Sequence, residues 1–233
     1  MTVEIDADEM EMVFDGQPFE REQLDEVYNA AFSQRTDPRT RAARHLAIGL
    51  TTAESVGPAR IVVESGDGDS GVRLVIQPAE KPGVRLEEHS GVDGTRIYLR
   101  EKFEMGHLVE FFHDFDGSLA EEVALRERCK HAEIAIDLEG TRVDVSVDET
   151  DRVVAAETIE TEHERGVVGV ARSDEKYALV QHGVTVQWRS FPAETFGIAG
   201  YVESERANLN LSQTKFVRDD TFDEVVRGVT YTA

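Results

Sequence analysis

Residues 41–65 read RAARHLAIGLTTAESVGPARIVVES, and this stretch decides what kind of fold the chain can adopt. Ala43, Leu46, Ala47 and Leu50 recur at the i, i+3, i+4, i+7 spacing of a helical stripe, and the β-branched run Ile61, Val62, Val63 follows Gly57-Pro58. The pattern predicts a buried helix that feeds a strand. Gly49 stands inside that helix, where glycine costs ~1 kcal/mol relative to alanine, so it calls for a reason. Close packing of a neighbouring element is one, and close approach of a ligand is another.

Outward from this stretch the same alternation of layers continues. Residues 9–14, EMEMVF, place apolar side chains at Met10, Met12 and Phe14 and stop at Asp15-Gly16-Gln17-Pro18, which predicts a half-buried strand running into a turn. Taken from the residues alone, Asp15 is a turn aspartate bonded to its own backbone. Residues 19–32 carry Leu24, Val27, Tyr28, Ala31 and Phe32 on one stripe and predict an amphipathic helix. Strands at 60–64 and 72–76 flank the turn GDGDSG as a hairpin, and GTRIYLR from Gly94 begins another strand.

Two helices are predicted next, over GHLVEFFHDF and SLAEEVALRERCKHA. From Glu133 the pattern changes to short alternating strands, IAIDLEG, TRVDVSV, RVVAAETI, GVVGVA, YALVQHG and VTVQWRS, closed by a helix over residues 219–229. A domain boundary is therefore expected near residues 104–132, with an α/β part before it and a strand-rich α+β part after it.

Composition narrows the function. The chain carries 47 acidic and 25 basic residues, a formal charge of −22, and most of its basic residues are arginine. Such self-repulsion is costly at low salt and screened at high salt, which suits a protein of a salt-loving organism. No concentrated basic face is visible, which argues against nucleic acid as a partner. The single Cys129 excludes an internal disulfide and a multi-cysteine metal site. No run approaches the ~18 apolar residues of a membrane span, and the acidic start MTVEIDADEM is unlike a secretory signal, so a soluble, cytoplasmic protein is expected.

Metal readings fare poorly. Asp67 and Asp69 have the spacing of calcium ligands, but Gly71 and Pro78 stand where a third oxygen ligand and the bidentate glutamate belong. His107, Glu110 and His113 drift around their helix and read as solvated or capping residues. The nucleotide-loop, hydrolase-elbow and metalloprotease signatures are absent.

Phe14-Asp15-Gly16, then Leu46-Ala47-Ile48-Gly49-Leu50 with Ala53 and Arg60-Ile61-Val62-Val63, then Gly94-Thr95-Arg96-Ile97 resemble, in that order, the boxes of GHKL (Bergerat-fold) ATPases. The heat-shock chaperone branch is the most similar, and Leu209-Asn210-Leu211-Ser212-Gln213 resembles a segment of that branch's middle domain. The resemblance implies that Asp15 accepts a hydrogen bond from an adenine amino group, that Gly16 follows it in the same box, and that Thr95 lines the base pocket through its hydroxyl. It also implies a glycine-rich helix start whose amides cover the phosphates. Only Gly49 matches a glycine of that box; Ala47 replaces another, and Arg44 either lends its charge to a phosphate or blocks the loop. Gln213 stands in place of an arginine that reaches the terminal phosphate in the chaperones.

The family carries its general base and its magnesium-binding asparagine on a helix ahead of the Asp-Gly strand, and the residues before Glu9 leave no room for it. Without those groups, water and metal are not positioned for phosphoryl transfer. The expected fold is thus α+β: an incomplete Bergerat-type α/β sandwich over 1–104, a mixed sheet with helices on one face, followed by a smaller middle- or transducer-like α+β domain over 105–233. The expected function is chaperone-like ATP binding with little or no hydrolysis, with magnesium only where the missing helix is supplied. Adenine nucleotide and a protein client or partner are the expected partners. Two alternatives stand beside it: an interaction scaffold that has lost nucleotide, and an active ATPase completed by a longer chain or a partner.

Overall fold

The β-branched run of residues 61–63 makes a strand because such side chains pack well on a pleated surface, and here the strand is covered on both sides. In the computed structural model it is the core of β3 (Arg60–Asp67), whose residues from Ile61 to Gly66 are all buried. The structure describes all residues except 7, 34, 36, 56, 81–82, 102–119, 144–152, 173, 192–195, 211–212 and 233. The histidine-bearing segment with His107, Glu110 and His113 lies outside the described residues.

Before β3 come β1 (Thr2–Ile5), β2 (Glu9–Phe14), α1 (Arg21–Asp25), α2 (Val27–Ala30) and α3 (Pro38–Ser55); after it come β4 (Gly71–Ile76), β5 (Val84–His89) and β6 (Asp93–Arg100). The chain continues through α4 (Ala120–Arg128), β7 (Ile136–Leu138), β8 (Thr141–Val143), β9 (Ala155–Glu160), β10 (Glu164–Ala171), β11 (Lys176–Gln181), β12 (Val184–Ser190), β13 (Gly197–Ser204) and α5 (Asp220–Thr232). It divides into two compact units, Met1–Glu122 with Asp137–Thr141, and Val123–Ile136 with Arg142–Ala233.

The first sheet has the order β5-β4-β3-β6-β2-β1-β7-β8. It is mixed, because β1 pairs β7 in parallel while β5 through β1 are antiparallel neighbours. Strand alternation sends Ile61, Val63, Val72, Leu74 and Ile76 to one face, where they form a single core with Leu24, Val27, Ala47 and Leu50 of the helices. The stripe anticipated on α3 therefore packs as expected, with Ala43, Ala47 and Leu50 buried. One helix was expected over residues 19–32, but the backbone breaks at Glu26, at φ −104° and ψ 20°, and two short helices result. With the break, Leu24 and Val27 both reach the core, while Phe32 at the end of the expected stripe is 78% exposed.

The second sheet has the order β12-β11-β13-β10-β9. Its middle strand β13 pairs β11 in parallel and β10 antiparallel. Gly200 in β13 has φ +112°, and a Cβ there would lie against the Val167 carbonyl oxygen, so only glycine lets the two backbones approach. The β11–β12 hairpin turns at His182-Gly183, both at positive φ, as a two-residue primed turn requires.

Helix α5 lays Phe222, Val225 and Val229 onto Val168, Tyr177, Leu179, Ile198 and Val202. Asp219 starts this helix: its carboxylate accepts from the Asn208 amide at 3.0 Å and from the Phe222 N–H at 2.9 Å. The Asn208 bond first, and the Phe222 bond second, hold the Asp219 carboxyl below its ordinary value. A folded-state value depressed below the unfolded one contributes stability above the unfolded carboxylate range and loses it as pH falls through the folded value. Asp219→Ala is accordingly expected to lower the thermal midpoint by a constant amount above about pH 5, with the gap to the parent chain shrinking in acid. Thermal unfolding from pH 7 to pH 3 checks this.

Candidate functional site

The β2–β6 register sets Phe14 opposite Thr95, and the β3–β6 register sets Ser65 opposite Thr95 on the other side. Asp15 therefore leaves β2 beside the Gly94-Thr95 step. Gly94 has φ +96° and lies so tight on the neighbouring strand that a Cβ would meet the Phe14 carbonyl oxygen and come within 3.4 Å of the Asp15 Cα. The Asp15 carboxylate is exposed and has no hydrogen-bond or ion-pair partner among the described residues. Gly16 next to it is exposed with nothing within 4 Å of its missing side chain.

Thr95 is 3% exposed, and its hydroxyl lies 2.7 Å from the Ser65 hydroxyl. Ser65 Oγ also accepts the Phe19 N–H at 2.7 Å and donates to the Gly94 carbonyl at 3.3 Å. One hydroxyl has one proton and two lone pairs, so this set is satisfied when Thr95 donates to Ser65. The segment after Asp15-Gly16 is thereby clamped across the ends of β3 and β6. Ser65 and Phe19 escaped the sequence reading, although Ser65 ends the stretch with which it began. Nothing in a strand-end serine announces which hydroxyl it will meet.

Arg44 and Gly49 take no part in that hydrogen-bond network. The Arg44 guanidinium donates to the Ser33 carbonyl at 3.1 Å and so ties down the chain entering α3. Ala47 is fully buried against the sheet, whereas Gly49, about 200° further round the helix, is exposed with nothing within 4 Å of its missing side chain. Close packing is therefore not what holds a glycine at this position. Gly49→Ala is expected to raise stability by about 0.5–1 kcal/mol from backbone entropy alone, which urea unfolding measures.

Two further sequence candidates receive structural roles. Asp67 Oδ1 accepts the Ser70 N–H at 2.9 Å and the Ser70 hydroxyl at 3.1 Å, which closes the GDGDSG turn. Asn210 Oδ1 accepts from Thr214 N at 2.9 Å and Lys215 N at 3.2 Å, and Gln213 sits at φ 54° in the loop so formed. Leu211 and Ser212 of the same segment lie outside the described residues.

The opposite face of the first sheet is charged. Glu64, 7% exposed, accepts from Arg73 at 2.6 Å, lies 3.4 Å from His89 Nε2 and 3.8 Å from Arg96, and Arg96 is 3.1 Å from Glu11. Cross-strand pairing brings Arg96, Glu64 and Arg73 into one row across β6, β3 and β4. Arg73→Ala removes the principal partner of a buried carboxylate and is expected to cost about 2 kcal/mol, with His89 and Arg96 limiting the loss. Chemical denaturation of the variant checks this.

No protein-family model matches the chain, and neither does any curated protein. Among solved structures the chain is similar to the ATPase region of Saccharomyces cerevisiae topoisomerase II, at a TM-score of 0.59 and 10% identity, over 92% of this chain and 70% of that one. At that identity the likeness establishes the fold alone: the chain, with its large mixed sheet and second, smaller sheet, has an α+β architecture like that of this region. The chaperone branch does not follow from it. Among the described residues no helix is long and apolar enough to cross a membrane.

Proposed function

We propose that this chain binds an adenine nucleotide at the corner where Asp15, Gly16 and Thr95 meet, as a chaperone-like protein of GHKL fold that hydrolyses ATP weakly or not at all. The observation that carries the reading is the β2–β6 register, which puts an unpartnered, exposed carboxylate next to the Gly94-Thr95 step. A carboxylate in that state can accept from an exocyclic amine directly or through water. Gly49 lies in the interior of α3, where its N–H belongs to the helix ladder, so its open side offers a phosphate room but no amide, and Arg44 would have to exchange its Ser33 carbonyl for that phosphate. Weak hydrolysis is inferred from Gln213, which cannot supply the charge that the resemblance assigns to an arginine. Magnesium enters only with the glutamate- and asparagine-bearing helix that the resemblance places ahead of the Asp-Gly strand.

A fluorescent ATP analogue titrated at molar salt tests the reading. Saturable binding that weakens tenfold or more in Asp15→Asn is expected. A titration without saturation would remove it.

A second reading, an interaction scaffold on the same fold that takes no nucleotide, is favoured by the Thr95–Ser65–Phe19 network, which spends the threonine proton internally. A tenfold loss of nucleotide affinity in Asp15→Asn would discard it.

A further inference from the structure

The sheet face turned away from α3 holds a cavity of about 300 Å³ lined by Glu11, Arg60, Val62, Glu64, Arg73, Arg96 and Tyr98. The lining carries three arginines against two glutamates, a net of one positive charge, in a chain whose total is −22. Both carboxylates already have cations: Glu64 is held by Arg73 through Nε at 2.6 Å and Nη2 at 2.5 Å, and Glu11 by Arg96 at 3.1 Å. Arg60 is different. It is exposed and has no ion pair and no hydrogen bond among the described residues, although acidic side chains outnumber basic ones nearly two to one.

Register explains why the cavity has two kinds of wall. Val62, Tyr98 and Glu11 stand directly opposite one another across β3, β6 and β2, and Arg60 lies two residues along β3 from Val62 on the same face. Arg60 and Arg96 thus flank the flat surface of Tyr98 and Val62. A guanidinium matches carboxylate and phosphate oxygens as a planar fork, and an aromatic side chain beside it accepts a flat apolar body. A volume near 300 Å³ is at the lower end of small-molecule sites.

We propose that this cavity is a second ligand site, separate from the Asp15 corner, that takes a small aromatic anion with its phosphate or carboxylate head on Arg60 and Arg96 and its ring on Tyr98 and Val62. Arg73 serves as the partner of Glu64, Arg60 is left to the ligand, and Arg96 has to share its guanidinium between Glu11 and the ligand.

Calorimetric titrations with phenyl phosphate and with benzoate, each at one fixed high ionic strength, test this. Saturable one-to-one binding of at least one probe is expected, weakened tenfold or more in Arg60→Gln and again in Arg96→Gln, and unchanged in Asp15→Asn. Inorganic phosphate is expected to bind more weakly than phenyl phosphate. Both arginines are surface side chains, and far-UV circular dichroism of the variants shows that they fold. Failure of both probes to saturate would overturn the site, as would binding that survives Arg60→Gln or falls in Asp15→Asn. Inorganic phosphate binding as tightly as phenyl phosphate would overturn the aromatic assignment. Because Asp15→Asn separates the two corners, loss of the nucleotide reading leaves this result standing, and the reverse.

Discussion

Gly94→Ala is expected to cost about 3 kcal/mol or more of stability, because two penalties fall on one residue. Its φ of +96° lies where an L side chain is strained, and the added Cβ would press on the Phe14 carbonyl oxygen, which is backbone and cannot rotate away. Relief requires β2 to move away from β6. The pairs Phe14–Thr95 and Gly66–Gly94 sit at the point of displacement, so the loss is shared by two strand interfaces. The Asp15 Cα lies within 3.4 Å of the same position, so nucleotide binding should weaken along with stability in whatever fraction remains folded. Urea unfolding in molar salt, followed by circular dichroism, gives the number. A change under 1 kcal/mol would mean that the strands are not in this contact.

Phe222→Ala is expected to have an effect as large, about 3–5 kcal/mol, by leaving a cavity under α5. Phe222 is 2% exposed, its ring lies 5.9 Å from that of Phe216, and the Arg189 guanidinium covers it at 5.2 Å. Val225 and Val229 continue the same buried stripe, so one truncation loosens the whole helix face. Trp188 in β12 is the single tryptophan of the chain, and the Arg128 guanidinium sits over its ring at 5.2 Å. Its fluorescence therefore reports the second sheet specifically. An unfolding midpoint shifted by less than a third of the expected amount would show that α5 does not depend on this anchor.

The elements that could be read from the sequence are those in which one periodicity runs without interruption. α3 announced itself through Ala43, Ala47 and Leu50, and β3 through its β-branched run, because a stripe and a pleat leave different spacings. β13 did not announce itself, although it is the middle strand of the second sheet. Gly197 and Gly200 interrupt its apolar alternation, and they are there because neighbouring backbones come too close for a side chain. The single helix expected over residues 19–32 failed at Glu26, where the demands of the core outweighed a stripe that local spacing made continuous.

Of the candidate nucleotide corner, the adjacency of Asp15 to Thr95 was legible only through the resemblance, since register between strands eighty residues apart leaves no local mark. Ser65 and Phe19 were illegible for the same reason. Arg44, Ala47 and Gly49 read as one box in sequence, but Gly49 lies about 200° round α3 from Ala47, as residues two positions apart on a helix must.

The amide spectrum of isotopically labelled protein, recorded with and without ATP at molar salt, addresses the Asp15 corner most directly. The expected result is a set of ATP-dependent shifts concentrated at Gly16, Ser65, Gly94 and Thr95, saturating with concentration and lost in Asp15→Asn. A spectrum that ATP leaves unchanged, or in which the shifts gather elsewhere and survive that substitution, would contradict a nucleotide site at the meeting point of β2 and β6.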